Sequence, residues 1–169
     1  MRDRGNRFNQ AAASVGRLEK ILSEWGFLVT RIGQEDWLSW ELYQLIRTIH
    51  DDKTVDLVRY FPDLATYRDD IGLRLLQVKS TSKNYWDGPN FSIEQSSFDV
   101  DVGLCRFGAK VMVVWENKPG EFKGEYADVI QPIKRVPFEE TKFYVGSGTP
   151  LALVLKSSVP EFSIDVLRR

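Results

Sequence analysis

The run Ala109-Lys110-Val111-Met112-Val113-Val114-Trp115 is apolar at almost every position. A strand with one wet face alternates apolar and polar residues, whereas a nearly continuous apolar run marks a strand at the centre of a sheet. The rest of the chain must therefore supply flanking strands and covering helices. Ala12, Val15, Leu18, Ile21, Leu22 and Trp25 recur at three- and four-residue steps, which predicts a helix over 8–25 ended by Gly26. Phe27–Ile32 reads as a first strand. Trp37, Trp40, Leu42, Leu45, Ile46 and Ile49 suit an amphipathic helix over 36–49.

Val55–Phe61 is rich in strand formers, and Ile71–Lys79 reads as a returning strand. Residues 55–79 are thus expected to form an antiparallel hairpin whose long tip begins at Pro62-Asp63. Residues 80–90 read as a loop. A second helix is expected over 92–106, with Ile93, Phe98, Val102 and Cys105 as its buried stripe. Later segments, Tyr126–Ile133 and Leu151–Lys156, read as strands, and Phe162–Leu167 as a short strand or helix. The expected class is α/β, a mixed β-sheet flanked by helices. The core order is α-β-β-β-α-β, with an inserted helix and extra C-terminal strands. A chain of 169 residues fits a single domain over 1–169. Within it, 5–115 form the core and 116–169 an extension packed on it.

Bulk properties narrow the function little. Formal net charge is -1, so any nucleic-acid partner must be met by a local basic patch. One cysteine, Cys105, excludes an internal disulfide. No apolar stretch approaches the roughly 18 residues of a membrane helix. The charged N-terminus is not followed by an apolar signal core, and a cytoplasmic location is expected.

Chemistry concentrates at Asp56 and Gln77-Val78-Lys79. Alternate side chains of a strand share a face, so Gln77 and Lys79 point one way and Val78 the other. Asp56 is expected on the neighbouring strand, where a polar group among apolar ones requires a partner or an ion. A carboxylate, an amide carbonyl and the Val78 backbone carbonyl suit a hard cation, Mg²⁺ with Mn²⁺ as substitute. Lys79 is placed to hold the attacking water and offset charge on a phosphate. Ser80, Thr81 and Lys83 beyond the motif, with Arg4 and Arg7 near the N-terminus, are candidates to hold phosphates. Trp86, in the same polar loop, could stack on a base. The plainer readings are an Asp56 paired with Lys53 or Arg59, a solvated Lys79 and an edge-strand Gln77. His50 reads as a capping or surface residue.

Asp56 followed by Gln77-x-Lys79 resembles the PD-(D/E)xK nuclease signature, closest to archaeal-type Holliday junction resolvases and restriction endonuclease-like proteins. The helix ending in Trp25-Gly26-Phe27, the segment Val55-Asp56-Leu57-Val58 and the run Leu75-Leu76-Gln77-Val78-Lys79-Ser80-Thr81 carry the resemblance over roughly 5–115. It implies a metal-dependent DNA endonuclease, with a homodimer needed for junction resolution. The family usually carries Glu or Asp where Gln77 stands, though some branches use glutamine. Its first helix often adds a glutamate; strict alignment puts Val15 there, with Glu19 one turn later and Gln10 about one turn earlier. Glu19 is therefore the expected additional acid. The alternatives are a non-catalytic DNA-binding or assembly module retaining the nuclease fold, and an interaction domain with an accidental D…QxK.

Overall fold

The computed structural model describes residues 3–33, 38–46, 48–49, 52–137 and 150–169, the side chains of 3–8 excepted. Helix α1 spans Asp3–Glu24, followed by β1 at Leu28–Arg31. Two short helices come next, α2 at Trp40–Ile46 and α3 at Lys53–Arg59. Strands β2 (Leu64–Arg68) and β3 (Gly72–Ser80) form a hairpin, and β4 (Asn90–Glu94) runs directly into α4 (Gln95–Arg106). The chain continues through β5 (Val111–Glu116), β6 (Phe122–Tyr126), β7 (Lys134–Val136) and β8 (Leu151–Leu155) to α5 (Ile164–Arg168).

One sheet has five strands in the order β1-β2-β3-β5-β6. It is mixed: β3 and β5 run parallel, and the other neighbours antiparallel. As the apolar run requires, β5 is interior, and every residue in it is buried. Its side chains divide between two layers. Met112 and Val114 meet Leu18 and Leu22 of α1 and Leu76 and Val78 of β3. Val113 and Trp115 turn the opposite way, towards Phe98 and Val102 of α4 and Phe91 and Ile93 of β4. A second sheet, β4-β8-β7, completes that layer.

The structure corrects the expected long hairpin. Residues 53–59 are helical, because Asp52 caps them: its side chain accepts from the backbone N–H of Thr54 (2.8 Å) and Val55 (3.1 Å). The cap outweighs the strand preference of Val55 and Val58, which is weak and depends on context. Arg59 then ties the helix back, donating to the carbonyls of Ile46 and Ile49. The true hairpin turns tightly at Asp69–Ile71, pairing Leu64 with Leu76 and Arg68 with Gly72. The expected 92–106 helix loses its first turn to β4, and no strand forms over 127–133: β6 lies earlier, at Phe122–Tyr126. The helix expected over 36–49 is described over 40–46; Trp37 and His50 lie outside the described residues.

Residues beyond 116 are bound into the core. Phe162, Val166 and Leu167 join the α1-side cluster. Arg74, on β3, donates to the Tyr126 hydroxyl (2.7 Å) and the Leu167 carbonyl (3.0 Å), and that hydroxyl donates to the same carbonyl at 2.8 Å.

Candidate active site

Gln77 and Lys79 do share a face of β3. Their partners on β5 are Val113 and Trp115, so both side chains lie on the α4 side of the sheet. Asp56 does not stand on a strand beside them. It lies on α3 with its carboxylate 3.8 Å from Arg59, one helical turn away. The carboxylate at Gln77 belongs to Asp63, immediately before β2. One oxygen of Asp63 accepts both the Gln77 side-chain N–H (2.8 Å) and the backbone N–H of Val78 (2.6 Å).

The local chain explains this placement. Asp63 is held on both sides through its backbone, donating to Leu76 O (3.0 Å) and accepting from Ile32 N–H (2.9 Å). Pro62 precedes it, fixing its own φ and pushing the preceding residue towards an extended conformation. Asp63 thus enters the hairpin opposite the Leu76–Val78 stretch of β3. Two N–H donors on one carboxylate oxygen hold it in place.

The Gln77 amide, 4% exposed, gives its N–H to Asp63, while its Oε1 is buried with no hydrogen-bond donor. Among the described residues the Lys79 ammonium makes no hydrogen bond or ion pair, although the side chain is half-buried. A third group reaches this side from α4. Asp101 is fully buried, and neither carboxylate oxygen has a hydrogen-bond partner among the described residues. Burial pushes its carboxyl well above the ordinary range; nearby Lys79 opposes the shift and Asp63 adds to it.

The first helix contributes differently from expectation. Glu19 pairs with Arg31 at 2.6 Å, at the end of the edge strand β1, so it is committed away from β3. Gln10 instead reaches the end of β3, donating to Thr81 O at 3.2 Å. Ser14 and Arg17 hold Glu116 at the end of β5, with Arg17 at 2.6 Å and the Ser14 hydroxyl in a short bond. Burial pushes the Glu116 carboxyl up, but Arg17, Gly120 N–H and Ser14 together bring it below its ordinary value. These contacts lock α1 against the C-terminal ends of β3 and β5.

Among the phosphate-binding candidates, Ser80 closes β3, and Thr81 donates its N–H to Glu116 O at 2.9 Å. Lys83 is exposed, in a 3-10 turn beside the site. Trp86 donates its indole N–H to Thr81 O (3.0 Å), which anchors the ring under the loop. Arg4 and Arg7 fall within α1, but their side chains lie outside the described residues.

Sequence reasoning missed Asp63 and Asp101. The literal Pro62-Asp63 dipeptide was the available signal for the first, though it also reads as an ordinary turn. For the second, Asp101 follows Ser97 by four residues and Phe98 by three, a spacing that puts an acid on the buried helix face.

The chain matches no protein-family model and no curated protein. Among solved structures it is similar to Hjc of Archaeoglobus fulgidus, a Holliday junction resolvase from an archaeal hyperthermophile. The TM-score is 0.52 at 11% identity, over 90% of this chain and 91% of that one. At that identity the likeness shows the fold: a mixed α/β architecture with a five-stranded sheet, like that of the resolvase.

Proposed function

We propose that this chain is a divalent-metal-dependent nuclease acting on DNA, with Asp63, Gln77 and Lys79 at its centre. The observation that carries the reading is the Asp63 carboxylate seated on the Gln77 amide and the Val78 N–H, with Lys79, which makes no hydrogen bond or ion pair among the described residues, two residues further on. In this reading Pro62-Asp63 takes the part that the sequence alone assigns to Asp56, and Glu19 has no part in the site. The resolvase-like fold supports it.

The donor set suits a hard cation such as Mg²⁺ or Mn²⁺. Gln77 Oε1 is a buried acceptor without a donor, beside a carboxylate, and the local side-chain donors are oxygens rather than sulfur or imidazole. Among the described residues no three His, Cys, Asp or Glu side chains gather to hold a metal by themselves. The amide oxygen, and in this reading the Val78 backbone carbonyl, must therefore contribute. Asp63 and Gln77 would hold the ion, which supplies positive charge to a phosphodiester and acidifies water.

The chain's own groups do the rest. The Lys79 ammonium faces the same side and can bind a non-bridging phosphate oxygen or orient the attacking water. Ser80, Thr81 and Lys83 follow at the mouth and can fix the backbone of the nucleic acid. The symmetric homodimer belongs to this reading too: Trp40 and Leu45 on α2, 69% and 55% exposed, offer an apolar surface for it.

The test is cleavage of end-labelled duplex and four-way-junction DNA with Mg²⁺, with Mn²⁺ and with chelator. Metal-dependent cutting, reduced about 10²-fold or more by Lys79→Ala, is the expected result. DNA binding without cutting under any metal would instead favour the non-catalytic module, which a neutral Gln77 makes the main competitor.

A further inference from the structure

We propose that Asp101, projecting from α4, is the acidic metal ligand that stands in for the acid lost at Gln77. The inference rests on the nuclease reading and deepens it by adding a residue from a different element.

Three observations converge. Asp101 is fully buried, and among the described residues both of its oxygens lack a donor. Gln77 Oε1 is likewise buried and without a donor. Both belong to one layer: Gln77 pairs with Val113, and Val113 meets Phe98 and Val102, which flank Asp101 on α4. Lys79 and Asp63 are close enough to act on Asp101 electrostatically. Buried polar groups almost always find partners, and acceptors that face one layer of the fold suit a cation as that partner.

Charge gives the same answer. With a neutral Gln77, the Asp63 carboxylate and the Lys79 ammonium cancel, and such a site attracts a divalent ion weakly. An ionised Asp101 leaves it net negative, as a carboxylate at position 77 would. Ser97, one turn before Asp101, is also buried with an unpartnered hydroxyl, so the polar face of α4 extends along the site. The plain alternative is a protonated carboxyl stranded in the core. That state carries an O–H donor of its own, and Mn²⁺ binding separates it from the ligand role.

The test is Mn²⁺ binding to the full chain, followed by titration calorimetry and by the paramagnetic resonance of free Mn²⁺, with metal-free melting measured in parallel. Asp101→Asn should weaken Mn²⁺ binding about tenfold or more. Adding Gln77→Glu to that variant should restore it, which a merely structural role for Asp101 would not produce. The metal-free Tm of Asp101→Asn should be unchanged or higher, since a buried unpaired acid is removed. Unchanged Mn²⁺ binding in Asp101→Asn, with binding lost in Asp63→Ala, overturns Asp101 and leaves the nuclease reading standing. No Mn²⁺ binding by the wild type overturns both. If Asp101→Asn does not fold, wild-type crystals soaked in Mn²⁺ decide. An anomalous peak within about 2.5 Å of an Asp101 oxygen upholds the assignment. A peak on Asp63 and Gln77 with Asp101 outside the coordination shell overturns it.

Discussion

At the scale of single residues, the candidate site was half legible. Gln77 and Lys79 could be placed on one face from strand periodicity alone, and the parallel pairing with β5 agrees. The carboxylate could not. Val55, Leu57 and Val58 make Asp56 look like a polar residue inside a strand, while Pro62 makes Asp63 look like a turn. Which aspartate meets Gln77 depends on a cap at Asp52 and a hairpin register that no short window contains. Glu116 was not singled out either, because its partners on α1 lie far away in sequence. Its role yields a prediction. Glu116→Gln should cost about 2–4 kcal/mol in urea unfolding, towards the lower end because Arg17 is 38% exposed. The sign with pH follows from linkage. The folded state holds this carboxyl below its ordinary value, so its contribution is present above the unfolded pKa and is lost as pH falls through the folded one. The gap between wild type and Glu116→Gln should therefore shrink from pH 7 towards pH 3. A gap independent of pH would mean the carboxylate charge is not what holds α1.

Elements with strong periodicity were readable, and those decided by caps or partners were not. Helix α1 shows its Leu18–Leu22 stripe in the sequence, and β5 its continuous apolar run. Helix α3 is short enough for its Asp52 cap to decide its state, so Asp52→Ala should cost about 1 kcal/mol. A loss well under half of that in urea would show that Arg59, rather than the cap, maintains the helix. Strand β6 depends on a close approach. A Cβ at Gly124 would stand 3.1 Å from the Phe162 ring, 3.2 Å from Met112 Sδ and 3.3 Å from Val113 O. Gly124→Ala is expected to destabilise by about 1–3 kcal/mol through overpacking. A neutral result would mean that Phe162 moves aside freely. The strand expected over 126–133 does not form because the chain turns after Tyr126, whose carbonyl accepts from the N–H groups of Val129 and Ile130, while Ala127 and Ile130 are buried in the α4-side cluster.

Across the whole molecule, the sequence conveyed the class of fold but not how the last third joins it. That join depends on long-range pairings: β8 with β4, and the Arg74–Tyr126–Leu167 cluster that ties α5 to the sheet. Residues 5–115 therefore lack a complete second layer by themselves. Deleting 150–169 should abolish the cooperative melting transition, whereas a core that melts cooperatively without them would make the extension dispensable. The same architecture puts the candidate site where the β2–β3 hairpin, β5 and α4 converge. The central claim is that Asp63, and not Asp56, is the carboxylate of that site. Cleavage of labelled DNA by Asp63→Ala and Asp56→Ala, compared side by side in Mn²⁺, tests it most directly. Activity should fall about 10²-fold or more in the first and stay near wild type in the second. Loss in Asp56→Ala with retention in Asp63→Ala would contradict the account.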